Sequence, residues 1–336
     1  MQTEQPKTLM PFNRRSFYEI ARLALPIVLS MASSVVIGLV DTAMVSPLGK
    51  LPLAAVGLTA TLVMFFYATL FGFVSIANVD MAEAYGAQND TSMNQSLTVS
   101  LWVSLLTGFV GAALMALMFP LLQLFQQPTE VIEAARDYYM GIALSLILFT
   151  IYYATKGWFD AVDQAWIGLR VGLLTLLTNI PLNYLFIYAL DFGTLGAAIA
   201  TNLSYLVGIA TILWFLRERL NLSPVGLLKP IKSVIQRGAT VAIGFGGEAL
   251  AFVAVGLMVG LFGATAIAAN QIGNAVGSVL YMVPLGISMA ISMLAGQAIG
   301  RDDAQVARSL TLHSVVLSAS WMMGCAIILI IASNAV

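Results

Sequence analysis

Two carboxylates lie inside long apolar stretches, Asp41 in Gly38-Leu-Val-Asp-Thr-Ala-Met and Glu248 in Gly244-Phe-Gly-Gly-Glu. A charge at the centre of a membrane helix costs about 2.5 to 3.5 kcal/mol on insertion scales, so each residue is a functional candidate. Neither has a Lys or Arg in the middle of an apolar stretch to pair with, Lys156 and Arg170 falling near the ends of theirs. An unpaired buried carboxylate either holds a proton or recruits a cation. Neutral oxygens that could join it occur in Thr178-Asn179-Ile-Pro-Leu-Asn183, where Asn179 and Asn183 share a helix face. Pro181 between them has no N–H to donate, which frees the carbonyl of Leu177. Thr201 is a further candidate for the same cluster. One carboxylate with such oxygens suits a hard monovalent cation or a proton relay. The same amides also suit plain interhelical hydrogen bonding, worth about 0.6 to 2 kcal/mol per contact.

Other chemistries find little support. The single Cys325 cannot form an internal disulfide, and the lone His313 cannot build a Cys/His metal cluster; both read as packing residues. Fifteen Lys and Arg against sixteen Asp and Glu leave no basic excess for a nucleic-acid backbone. No phosphate loop and no catalytic cluster is visible, so an enzyme is not expected, and no cofactor beyond a coupling ion. Asp80 and Glu83 read as residues of a solvated loop, and the pairs Gly193 with Gly196 and Gly273 with Gly277 as close helix packing.

The elements that must carry these residues are membrane helices. Of the 336 residues 60% are hydrophobic and 9% charged, against roughly a quarter charged in soluble domains. Nine apolar runs, near 20 to 45, 53 to 79, 97 to 122, 138 to 158, 166 to 190, 195 to 216, 239 to 262, 266 to 295 and 309 to 331, are long enough to cross a bilayer as helices. With the N-terminus in the cytoplasm, thirteen basic residues, Lys156 and Arg170 among them, fall inside and only Lys50 and Arg136 outside. The expected fold is an all-α, polytopic, integral-membrane helix bundle.

An internal repeat organises the bundle. A shift of 214 residues brings Gly49 onto Gly263, Ala54-Ala55 onto Ala268-Ala269, Tyr67 onto Tyr281, Gly72 onto Gly286 and Gly86 onto Gly300. Six helices separate the copies, so the repeat is parallel. It predicts a cytoplasmic tail over 1–15, a six-helix lobe over 16–216, a basic linker over 217–237 and a three-helix part of a second lobe over 238–336. A complete pair of lobes would have about twelve spans, and the chain reads as a truncated version of it. Glu248 falls where the first copy has Ser34, so it is not a repeat of Asp41.

Leu25-Pro26, Gly38-Leu-Val-Asp-Thr-Ala-Met, Leu53-Ala-Ala-Val-Gly, Asn179-Ile-Pro-Leu-Asn-Tyr and Ala268-Ala-Asn-Gln-Ile together resemble the multidrug and toxic compound extrusion (MATE) family, in its bacterial NorM-type branch, over about residues 15–336. The resemblance implies two six-helix lobes around a central cleft that opens alternately to each side. It implies export of organic cations and amphiphilic drugs in exchange for sodium or protons, by a monomer in the bacterial inner membrane. It also implies that Asp41, Asn179 and Asn183 form the ion-linked site of the first lobe and that Glu248 matches an acid of the second. The family's further acid in a tenth helix has no counterpart, which leaves an inactive truncated transporter as one alternative. A flippase for lipid-linked precursors is another, and it would call for cationic residues in the cleft.

Overall fold

The structure is a computed structural model that describes residues 14–125, 128–219, 226–260 and 264–333. Among these residues it is built of nine long helices: α1 (Arg14–Val45), α2 (Lys50–Gly86), α3 (Asp90–Met118), α4 (Thr129–Ala161), α5 (Ala165–Tyr184), α6 (Gly193–Leu216), α7 (Leu228–Gly260), α8 (Ala264–Gly300) and α9 (Ala304–Ser333). Each contains a stretch long and apolar enough to span a bilayer. A helix is the form in which one segment satisfies all its own backbone groups in hydrocarbon. Short 3₁₀ segments follow α1 and α3, and a π-helical turn, Leu185–Ala189, follows α5.

The helices outrun the apolar stretches because their polar end turns continue into the aqueous boundary. Asp80 and Glu83 are therefore helical rather than loop residues, and Asp80 receives a two-pronged hydrogen bond from Arg237 at 2.8 and 2.5 Å. Likewise α7 begins at Leu228, so Lys229, Lys232 and Arg237 of the expected linker lie on its first turns. Residues 1–13 of the tail, 220–225 of the linker and Gly263 of the repeated short loop fall outside the described residues.

The repeat is visible in backbone detail. The α2–α3 turn places Gln88 at φ 54°, and Asn89 caps α3 by accepting from Ser92 N at 2.9 Å. At the same repeat positions the α8–α9 turn places Asp302 at φ 59°, and Asp303 caps α9 by accepting from Val306 N at 3.0 Å. In both turns a left-handed residue reverses the chain and a short polar side chain satisfies a free helix N–H.

The helices α2, α3, α5 and α6 pack against α4, whose large side chains Tyr139, Leu146 and Tyr152 are fully buried, and α1 packs on α5. The second copy meets the first along α1 against α8 and α2 against α7. These contacts obey the repeat. A Cβ on Gly72 would lie 2.5 Å from Ala242, and one on Gly286 would lie 2.1 Å from Val28. Nearer the helix ends, Gly86 closes on the backbone of Gln297 and Gly300 on that of Glu83. Gln297, fully buried, donates to the Ala161 carbonyl at 2.9 Å and to Asp163 at 3.1 Å, tying α8 to the end of α4.

Other glycines of these helices are not packed in this way. Gly38, Gly57, Gly244, Gly247, Gly273 and Gly277 have nothing within 4 Å of an added Cβ among the described residues. The expected packing role thus fails for Gly273 and Gly277, whereas Gly196 does pack, against the backbone of Phe186. Its partner Gly193 starts α6 at φ 56°, where glycine is favoured for its conformation. The two copies are in close backbone contact at the end carrying Gly86 and Gly300, away from Asp41.

Candidate functional site

Asp41 stands on the last turns of α1 and faces α5 and α6, not the second copy. Three side chains donate to it. Asn183 Nδ2 reaches Asp41 Oδ1 at 2.6 Å, Asn179 Nδ2 reaches the same oxygen at 3.3 Å, and Thr201 Oγ1 reaches Oδ2 at 2.6 Å. The donors are linked to one another. Asn183 donates to Asn179 Oδ1 at 2.9 Å, and Asn179 to Thr201 Oγ1 at 3.3 Å. Exposure is 3% for Asp41, 0% for both asparagines and 5% for Thr201. The structure thus brings together Asp41, Asn179, Asn183 and Thr201, from three helices.

Local sequence explains the convergence. A spacing of four sets the two amides one above the other on α5. Pro181 sits inside the helix between them, and the π-helical turn begins directly after Tyr184. Such turns rearrange the backbone where a helix must present side chains or carbonyls unusually, and they are frequent at functional sites. The turn is fastened to α1 by Tyr188 Oη, which donates to the Met44 carbonyl.

The donor set fits a small hard monovalent cation, or a proton, better than a divalent metal. It offers one carboxylate, two amide oxygens and a hydroxyl, and no group of three His, Cys, Asp or Glu occurs among the described residues. Oxygen ligands of this kind suit hard cations. Asn183 Oδ1 is buried and has no hydrogen-bond partner among the described residues, so one acceptor beside the carboxylate is unspent. A buried polar atom left unpaired costs about 1 to 3 kcal/mol, so this oxygen has the capacity to accept one more hydrogen or a cation.

Glu248 lies elsewhere. It is half-buried on α7 and accepts from Tyr281 Oη of α8 at 3.2 Å. None of the hydrogen bonds among the described residues links it to the Asp41 cluster, and it belongs to the second copy.

Sequence reasoning missed a second buried charged group. Lys156, read as a residue of the basic end, is 2% exposed inside α4, with Nζ 2.7 Å from Asp160 of the same helix. The signal was available, since Lys and Asp four apart share a helix face. It was masked because a Lys near a helix end ordinarily stretches its ammonium to the interface.

A family model described as MatE matches residues 26–185 and 241–336, most of the chain. The chain belongs to the MATE family. Curated MATE relatives include the multidrug resistance protein NorM of Burkholderia vietnamiensis, 31% identical, with 97% of this chain aligned to 73% of that protein. The probable multidrug resistance protein NorM of a Synechococcus strain is 30% identical, with 92% of this chain aligned to 69% of that one. Among solved structures, the eukaryotic MATE transporter AtDTX14 superposes with a TM-score of 0.87 at 18% identity, over 95% of this chain and 73% of that one. A MATE structure in complex with MaL6 superposes with a TM-score of 0.82 at 22% identity, over 95% of this chain and 73% of that one. The expected all-α membrane bundle is thereby the MATE fold.

Proposed function

We propose that the protein is a cation-coupled antiporter that exports organic cations and amphiphilic drugs across the bacterial inner membrane. The similarity to NorM proteins named for multidrug resistance supports the substrate class. The observation that carries the coupling is the buried cluster of Asp41, Asn179, Asn183 and Thr201. It joins one carboxylate to three neutral partners and leaves an amide oxygen over.

With the basic end in the cytoplasm, as the distribution of Lys and Arg favours, the seam at Gly86 and Gly300 is cytoplasmic. In the outward-open form a sodium ion or proton from outside binds at Asp41. The ion draws α1, α5 and α6 together around the carboxylate and so disfavours the drug-bound form. The inward-open form releases the ion and accepts drug. Such a cycle couples the two only if ion and drug bind the two conformations with different affinities.

Efflux of a fluorescent organic cation from vesicles, with a sodium gradient or a proton gradient imposed separately, tests the reading and names the ion. Efflux indifferent to both gradients would sink it. Orientation is tested by labelling of single cysteines after Cys325→Ser. Gly49→Cys should be labelled from outside intact cells and Asp302→Cys should not, and the reverse pattern would invert the topology.

A further inference from the structure

The cluster at Asp41 is one end of a longer feature. On α5, Asn183, Asn179, Thr175, Gly172 and Gly168 follow one another at helical spacing along one face, and all five are buried. At 1.5 Å per residue this face runs for about 22 Å. Thr175 Oγ1 lies against Gly208 of α6, 2.5 Å from where a Cβ would stand. Beside Gly172 three hydroxyls gather: Ser33 Oγ, Ser30 Oγ and Tyr152 Oη lie 3.0, 3.1 and 3.4 Å from its would-be Cβ. The would-be Cβ of Gly168 lies 3.3 Å from Lys156 Cε and 3.5 Å from Asp160 Oδ1. Amides, hydroxyls and bare glycine backbone thus succeed one another along this face of α5, from the Asp41 cluster to the buried ion pair.

That pair is not a closed salt bridge. Asp160, 4% exposed, uses Oδ2 for Lys156, while its Oδ1 has no hydrogen-bond partner. Asn78 of α2, 3% exposed, has its amide pressed against Gly157, beside Lys156 in sequence, and its Oδ1 is likewise unpartnered. A buried pair offsets its desolvation only when the remaining lone pairs are satisfied. One unpaired carboxylate oxygen on Asp160, with the Lys156 ammonium resting on the other oxygen, describes a position that a monovalent cation can share or take over, with Lys156 as the resident counter-charge in its absence.

We propose that Asp160, with Lys156, is an inner monovalent-cation station, and that the polar face of α5 is the route by which sodium or a proton passes between Asp41 and the end of the bundle carrying Gly86 and Gly300. The inference rests on the reading of Asp41 as the coupling site. It adds a second ionisable site and a path through the first lobe that is separate from the cleft between the two copies.

The test uses the protein in lipid vesicles and ethidium as the transported cation. One readout is release of pre-bound ethidium when sodium or acid is added to the outer side. The other is ethidium efflux under a maintained sodium or proton gradient. Asp160→Asn should leave triggered release within about twofold and cut gradient-driven efflux by about tenfold, in whichever ion arm the route serves. The double variant Lys156→Met/Asp160→Leu guards against misfolding, because apolar replacement of a whole buried pair is often neutral or stabilising. It should behave as Asp160→Asn does. Normal efflux in the double variant, with triggered release intact, would overturn the inner station. Loss of triggered release in the variants would also overturn it, since the pair would then act by shaping the Asp41 site. If the unmutated protein shows no triggered release in either arm, the coupling role of Asp41 falls first, and the route falls with it.

Discussion

The first and second copies differ least where they turn and most where they hold charge. At the α2–α3 and α8–α9 turns the two share a left-handed residue, a capping side chain and matching backbone hydrogen bonds, from Asn89 N to Ala84 O and from Asp303 N to Ala298 O. At the carboxylates nothing matches. Asp41 is sealed among three donors from two other helices, whereas Glu248 is half-buried with Tyr281 alone among the hydrogen bonds described. The repeat position of Glu248 in the first copy is Ser34, which accepts from Tyr153 Oη at 3.1 Å. Duplication therefore preserved the scaffold, which depends on backbone geometry, and left the charged positions free to diverge, because one side chain can be exchanged without disturbing the helix beneath it.

The sharpest way to break this comparison is at the two acids. Asp41→Asn keeps the shape but removes the charge, so gradient-driven efflux should fall by about a hundredfold or more with normal membrane expression, while drug binding in the cleft persists. Efflux assays beside binding by the same fluorescent drug check this; unaltered efflux would make Asp41 a packing residue. Glu248→Gln should act independently, and the loss in Glu248→Gln should be unrelated to any change in cation-triggered release at Asp41. A double-mutant cycle on drug affinity should give a coupling within about 0.5 kcal/mol of zero, as for distant sites without shared partners.

Where the copies agree, paired substitutions should agree too. Gly86→Val and Gly300→Val each drive a side chain into the other copy's backbone, and both should lower efflux to a similar degree by holding the seam apart. Cysteine accessibility along α8 should rise in both; an effect in one only would contradict the symmetry of the seam. A smaller loss, about tenfold in efflux, is expected for Asn183→Ala, which removes the shortest amide contact to Asp41 at 2.6 Å and leaves the charge in place. The smallest effects belong to the caps. Asn89→Ala and Asp303→Ala should each destabilise by about 1 kcal/mol, read as matched shifts in thermal unfolding in detergent.

Much of this was legible in the sequence for a physical reason. A bilayer admits few solutions, so apolar length alone marks the helices, and polar residues within them stand out against that background. Asp41, Asn179, Asn183 and Thr201 were visible in this way. That they meet at one point was not, because it depends on how α1, α5 and α6 pack, and spacing along a single helix is silent about its neighbours. The repeat aligned Gly72 with Gly286 and Gly86 with Gly300, yet it could not tell that each glycine touches the opposite copy. Gly273 and Gly277 carry a similar spacing, yet an added Cβ there would meet nothing within 4 Å among the described residues, so small-residue patterns mark permission to pack rather than packing itself. Lys156 was misread because its position near a helix end suits an interfacial lysine equally well, and only the surrounding helices bury it.

The seam at Gly86 and Gly300 carries a consequence for the proposed cycle. Where a Cβ on Gly86 would stand, a hydrogen points at the Gln297 carbonyl oxygen, and Gly300 points likewise at that of Glu83. Contacts of this kind are worth about 0.5 to 1 kcal/mol each and immobilise no side chain of the glycine. The two backbones can separate and rejoin without any glycine rotamer search. In the proposed cycle the directional ties that opening must break are then the polar ones beside them, the Asp80 and Arg237 pair and the Gln297 amide.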